Sequence, residues 1–114
     1  MRAVALTTDS SLLTAASNDF GFAEVFARQV DALATAADLL IVHSTSGDSP
    51  NVLRAAEVAR TKGVAVLAFT AGGGGKIRAI ATHTIAVPTE RTDRAQELHL
   101  CIEHLICELV EDAL

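Results

Sequence analysis

The chain has no tryptophan and no tyrosine, and its four aromatic residues are all phenylalanine. A core with so few rings must be built mainly from Ala, Val, Leu and Ile, which a hydrophobic content of 50% supplies. Basic residues are scarce too. Nine Lys and Arg stand against fourteen Asp and Glu, for a formal net charge of −5. No basic stripe offsets that deficit, which argues against nucleic-acid binding driven by phosphate neutralisation. Cysteine occurs twice, at Cys101 and Cys107. On a helix these side chains point about 120° apart, so no local disulfide is expected and a reduced compartment is the default. No apolar run approaches the ~20 residues of a membrane span, and a polar break follows MRAVAL, unlike a secretory leader. The 114 residues suit one domain over 1–114, soluble and cytoplasmic, with no membrane or nucleic-acid partner.

What is present is an alternation of short apolar runs and helical spacings. Val4–Leu6 is expected as a first strand, followed by a helix over Ser10–Asn18 with Asp9 or Ser10 as cap. Phe22 to Leu33 has apolar residues at 22, 25, 26, 30 and 33, a helical period. Leu39–Val42 is apolar on both faces, as buried parallel strands are. Ser49–Lys62 is expected as a helix, with Pro50 in its first turn and Gly63 beyond its end. Val64–Phe69 is a third strand. AGGGGK (71–76) is a flexible turn into a short helix at Ile77–Ala81. Thr84–Val87 is a fourth strand stopped by Pro88, and Thr92–Leu114 is a long final helix. The pattern predicts an α/β fold, a three-layer sandwich of a parallel sheet flanked by helices, flavodoxin-like in type.

The stretch HSTSGDSPNVLRAAEVAR (43–60) ends a buried strand in small hydroxyl residues and then starts a helix. In open α/β sheets ligands bind at the carboxyl ends of strands. A helix N-terminus there offers free N–H groups and a partial positive charge to an anion. Ser44, Thr45, Ser46 and Ser49 add hydroxyls, and Gly47 admits close backbone approach. The result is a phosphate cradle without a lysine. A Walker loop is excluded, because Gly72–Lys76 lacks the required spacing and hydroxyl. A plainer alternative stays open: Ser49 caps the helix and the other hydroxyls fill a turn.

STSGDSPNV (44–52) resembles the phosphosugar-binding signature of the sugar isomerase (SIS) domain family, usually STSGNS. TTDSSLLTAASNDFGFAEVFARQVDAL (7–33) and DRAQELHLCIEHLICELVEDAL (93–114) resemble flanking segments of its phosphoheptose isomerase branch. Together the blocks extend the resemblance over essentially the whole chain. The resemblance implies interconversion of sedoheptulose 7-phosphate and D-glycero-D-manno-heptose 7-phosphate by aldose–ketose proton transfer, in heptose and lipopolysaccharide precursor synthesis. It implies that Ser44, Ser46 and Ser49, with Thr45 beside them, hold the phosphate. It implies further that Asp9 hydrogen-bonds the sugar chain, that Asp93 and Gln96 contact substrate, and that His104 moves protons on the substrate oxygens. Imidazole as a group suits that task. In members that bind zinc, Gln96 and His104 are the candidate ligands on this chain, although the sequence itself requires no cofactor. The resemblance also implies a homo-oligomer, dimer or tetramer, with sites between subunits.

Helix geometry places Asp93, Gln96 and His104 on one face, at roughly 0°, 300° and 20°. Leu98, Ile102, Leu105 and Leu109 centre on the opposite side and are expected to hold the helix to its own sheet. On spacing alone the plainer reading leads: His104 is one polar residue on a solvated face. His99 is expected to be a partly buried structural residue, and His43 and His83 have no role in the resemblance.

The sequence departs from the family pattern in three places. Asp48 replaces Asn, His43 replaces a small or apolar residue, and AGGGGK replaces a loop of the type G-[RK]-D-G-G. Family members are nearly twice this length. Their N-terminal helices, a central strand and a Glu general base have no counterpart here, so the chain is expected to be a C-terminal portion of such a protein. Two other classes remain: a non-catalytic sugar-phosphate sensor, and an interaction protein like the replication-initiator-binding relatives.

Overall fold

The computed structural model describes residues 2–114. In chain order it contains α1 (Ser10–Phe20), a 3-10 turn (Phe22–Glu24), α2 (Val25–Leu33), β1 (Leu39–His43), α3 (Pro50–Thr61) and β2 (Ala65–Ala71). A second 3-10 turn (Lys76–Ala79), β3 (His83–Val87) and α4 (Thr92–Asp112) follow. The sheet has the order β1-β2-β3 and is parallel throughout. Its register runs from Leu39 opposite Ala65 to His43 opposite Phe69, and from Leu67 opposite His83 to Ala71 opposite Val87.

The first expected strand does not form. Val4–Leu6 has no strand structure, and among the described residues β1 has β2 as its sole ladder partner. A strand exists only by pairing, since its backbone N–H and C=O groups otherwise go to solvent. The segment is tied down by a side chain instead: buried Gln29 donates from Nε2 to the Leu6 carbonyl at 2.9 Å. Asp9 then caps α1, its carboxylate accepting from the Leu12 N–H at 3.0 Å.

One face of the sheet carries α2 and α3. The core there joins Val30, Val42, Val64, Val66, Ala68 and Ile77 to Ala55, Ala56 and Ala59 of α3. Alanines on the inner face of a helix let its backbone lie close to the strands, and they lose no rotamer freedom on burial. Gly63, at φ 75°, turns the chain out of α3, and the Val64 N–H returns to the Ala59 carbonyl at 2.9 Å.

The other face carries α4, which packs mainly over β2 and β3. Burial of β1 on both faces, expected from its apolar run, is therefore incomplete. Leu40 and Val42 face the α3 side, whereas Leu39 and Ile41 stay about half exposed. The expected contact face of α4 is also corrected. Ala95 and His99 are its buried residues, with Ile102, Glu103, Ile106 and Val110 half-buried. That stripe is rotated by roughly 80° from the leucine stripe on a helical wheel. Leu98, Leu105 and Leu109 are 43%, 54% and 68% exposed. The cause is local fit: small Ala95 and hydrogen-bonded His99 seat the helix against the end of β2. No helix among the described residues is long and apolar enough to cross a membrane.

Candidate functional site

Two loops leave the carboxyl ends of β1 and β2 and interlock. The Ser44 N–H donates to the Phe69 carbonyl and the Ala71 N–H to the Thr45 carbonyl, each at 3.0 Å, extending the ladder past β1. Beyond it, the Ile77 N–H donates to the Gly47 carbonyl at 3.0 Å. Gly47 and Gly75 have φ of 69° and 59°. A Cβ on Gly47 would overlap the Gly74 carbonyl, and one on Gly75 would overlap the Ser46 carbonyl. The glycine run, expected as a flexible turn, is thus a fastening, in which bare backbone packs on bare backbone. Asp48 belongs to the same junction. Its Oδ1 accepts from the Lys76 N–H at 3.0 Å, which commits its carboxylate to the glycine loop.

The hydroxyls separate into two groups. Ser44 is buried, and its Oγ lies 3.1 Å from Ser49 Oγ while accepting from the Gly47 N–H at 3.1 Å. Ser49 occupies the cap position of α3, with its carbonyl accepting from the Val52 and Leu53 N–H groups. Its hydroxyl makes no capping bond, so the simple-cap alternative does not describe it. Ser44, Thr45 and Ser49 line a cavity of about 440 Å³ with Gln96, His99, Leu100, His43 and Glu103. Ser46 is exposed, its Oγ accepting from the Asp48 N–H at 3.2 Å. With Thr45, Ala71, Glu90 and Thr92 it borders a smaller cavity of about 180 Å³.

Of the residues expected at a site, Ser44, Thr45, Ser49 and Gln96 therefore share one cavity wall. Asp9 is engaged as the α1 cap. Asp93 is held by Arg91, with Oδ2 at 2.7 Å and Oδ1 at 3.2 Å from the guanidinium. That hydrogen bonding keeps its carboxyl below the ordinary value of 3.8. His104 is exposed on α4 and borders neither of these two cavities.

His99, Glu103 and His43 were not expected in the cavity wall. His99 is buried, with Nε2 at 2.8 Å from the Thr70 carbonyl. Part of the signal was available, because Gln96, His99 and Glu103 recur at i, i+3 and i+7, which is one helical stripe. His43 directly precedes Ser44 but reaches the wall because the sheet face carrying it is the one α4 covers.

Gln96 and His104 do not make a zinc site by themselves. Eight residues of helix separate their backbones by about 12 Å, and zinc takes about four ligands in tetrahedral array. Among the described residues no group of three or more His, Cys, Asp or Glu could hold a metal ion.

The loop signature, the parallel sheet and the placement of α4 recur in known proteins. The family model of the SIS domain matches residues 1–71. Curated relatives include phosphoheptose isomerases of Rhodospirillum rubrum, 50% identical over 111 residues, and Akkermansia muciniphila, 48% identical over 111 residues. Each alignment covers 97% of this chain and 59% of the relative, so the chain spans about three-fifths of their length. A solved phosphoheptose isomerase from Francisella tularensis superposes with a TM-score of 0.93 at 38% identity, over 96% of this chain and 59% of its own. One from Neisseria gonorrhoeae gives 0.92 at 46% identity, over 95% and 61%. With the domain match covering more than half the chain and the loop that carries its signature built as described, this chain belongs to the SIS domain family.

Proposed function

We propose that the chain is the sugar-phosphate-binding part of a phosphoheptose isomerase, acting on sedoheptulose 7-phosphate and D-glycero-D-manno-heptose 7-phosphate. The observation that carries this reading is the single cavity in which Ser44, Thr45 and Ser49 meet Gln96 at the carboxyl end of a parallel sheet. The N-terminus of α3, which begins beside Ser49, favours an anion there. Ser46 is the further phosphate ligand, reached by rotation of its exposed hydroxyl. Asp9 and Asp93 contact the sugar chain, Asp93 after leaving Arg91.

The reaction moves one proton between C1 and C2 and one hydroxyl proton between O1 and O2, so it balances without an external oxidant or reductant. His104 carries the oxygen-bound proton. It does so from a helix face that a second copy of the chain covers, in a homo-oligomer of at least two chains. Leu98, Leu105 and Leu109, exposed on the side of α4 away from His104, give the helix a second, apolar side for contact between copies. Zinc, where other residues complete the ligand set, would be met by Gln96 and His104. The setting is cytoplasmic.

Calorimetry tests the site. Ser44→Ala with Ser49→Ala should weaken binding of inorganic phosphate and of sedoheptulose 7-phosphate by roughly 1–3 kcal/mol, the scale of hydrogen bonds to a charged group. Unchanged affinity for both would remove this cavity from the reading. In a protein that joins this chain to the N-terminal segment carrying the family's Glu base, His104→Ala should slow heptose-phosphate isomerisation by about 10²-fold, the scale of acid–base catalysis. Normal turnover would leave His104 as a surface residue. The position of His104 outside the cavity favours a second reading, a sugar-phosphate sensor, whose mark is tight binding with no turnover.

A further inference from the structure

Besides the serines, the cavity wall contains a fixed polar cluster without an assigned task. The His43 ring stacks on Phe69 with centroids 5.0 Å apart and planes 9° from parallel. Phe69 in turn meets His99 edge-on at 5.5 Å. Glu103 Oε1 lies 3.3 Å from His43 Nδ1, joining α4 to the last residue of β1. The ring is therefore held on its face by stacking and at one nitrogen by a carboxylate. Among the described residues no hydrogen bond or ion pair engages His43 Nε2 or Glu103 Oε2. His99 is fixed as well. A carbonyl can only accept, so its Nε2 donates to Thr70 and its Nδ1 stays available.

We infer that His43 and Glu103 form a hydroxyl-reading subsite. With a phosphate in the serine cradle, they bind hydroxyls of the attached polyol chain and so select a phosphorylated sugar over a bare phosphate. The chemistry suits this ligand class. A hydroxyl is both donor and acceptor, and the wall presents a carboxylate oxygen beside a ring nitrogen, each already oriented by a second contact. His43 immediately precedes Ser44 in the chain, so the subsite and the cradle border one continuous cavity. Polar groups fixed before binding lose little entropy on engaging a ligand, which is where specificity is gained. A fastening role alone would need neither group to face the cavity.

The subsite rests on the cradle reading, and the test separates the two. Wild-type chain, Ser49→Ala, His43→Phe, Glu103→Leu and Glu103→Gln are titrated calorimetrically with sedoheptulose 7-phosphate and with inorganic phosphate. Phenylalanine keeps the stack on Phe69, and both substituted positions are partly exposed, so a second variant is available should one fail to fold. His43→Phe and Glu103→Leu should each lower sugar-phosphate affinity about tenfold and leave inorganic phosphate within about twofold. Glu103→Gln, which keeps an acceptor, should recover part of the loss. Equal losses for both probes, or no loss for either, would overturn the subsite and leave a mere fastening. If Ser49→Ala weakens both probes while the ratio between them is unmoved by the other variants, the cradle stands and the subsite falls. If wild-type chain binds neither probe, both fall together.

Discussion

Replacing Gly47 with alanine should damage the site severely, as should the same change at Gly75, whose Cβ would meet backbone equally closely. Gly47 has φ 69°, a conformation that costs a residue with a Cβ about 1–2 kcal/mol. Its new methyl would also overlap the Gly74 carbonyl, with Gly74 C only 2.7 Å away. Those neighbours are backbone, so relief requires the two loops to part. Parting them lengthens the bond from the Ile77 N–H to the Gly47 carbonyl and the bond from the Lys76 N–H to Asp48. Each such bond contributes about 0.5–1.5 kcal/mol. The sum is a loss of about 2–5 kcal/mol, which in a chain of this size lowers the melting midpoint by roughly 10 °C or more. Gly73 is the internal control, since its Cβ would meet nothing within 4 Å and it lacks a positive φ. Gly73→Ala should stay within about 0.5 kcal/mol of wild type. Thermal and urea denaturation followed by circular dichroism read both variants, and phosphate titration reads the cradle that Gly47 helps to shape. If Gly47→Ala melted alongside Gly73→Ala with phosphate affinity intact, the interlocked-loop account would be wrong.

Two further outcomes are expected. Light scattering should find at least a dimer at micromolar concentration. Leu105→Glu with Leu109→Glu should convert it to smaller species while leaving the helical signal in place, whereas a well-folded wild-type monomer would refute the covered-face reading. Asp93 titrates below 3.8 because Arg91 hydrogen-bonds its ionised form. The stabilisation from this pair is therefore full above that ordinary value and is lost as pH falls through the lower folded-state value. Arg91→Ala should return the Asp93 carboxyl toward 3.8 in an NMR titration, and an unmoved value would show that Arg91 is not its cause.

Most of the local structure was legible from residues close together in the chain. Helix bounds follow from signals within a few residues: Asp9 before α1, Pro50 at the start of α3, Gly63 after it. The parallel α/β arrangement follows from alternating strand-length and helix-length runs, and the serine loop declares itself by composition at a strand-to-helix junction. Tertiary structure decided what depends on a partner distant in the chain. Val4–Leu6 has strand composition but no ladder partner among the described residues. The buried face of α4 was set by Ala95 and His99 fitting the end of β2, because burial depends on which side meets the sheet and not on which side is most apolar. The glycine run became a fastening because Gly47 lies opposite it. His43, fifty-six residues before His99, joined His99 and Glu103 in one wall because a parallel register brings the end of β1 beside Phe69. Periodicity reports contacts a few residues apart, whereas these side chains meet only after the sheet has formed.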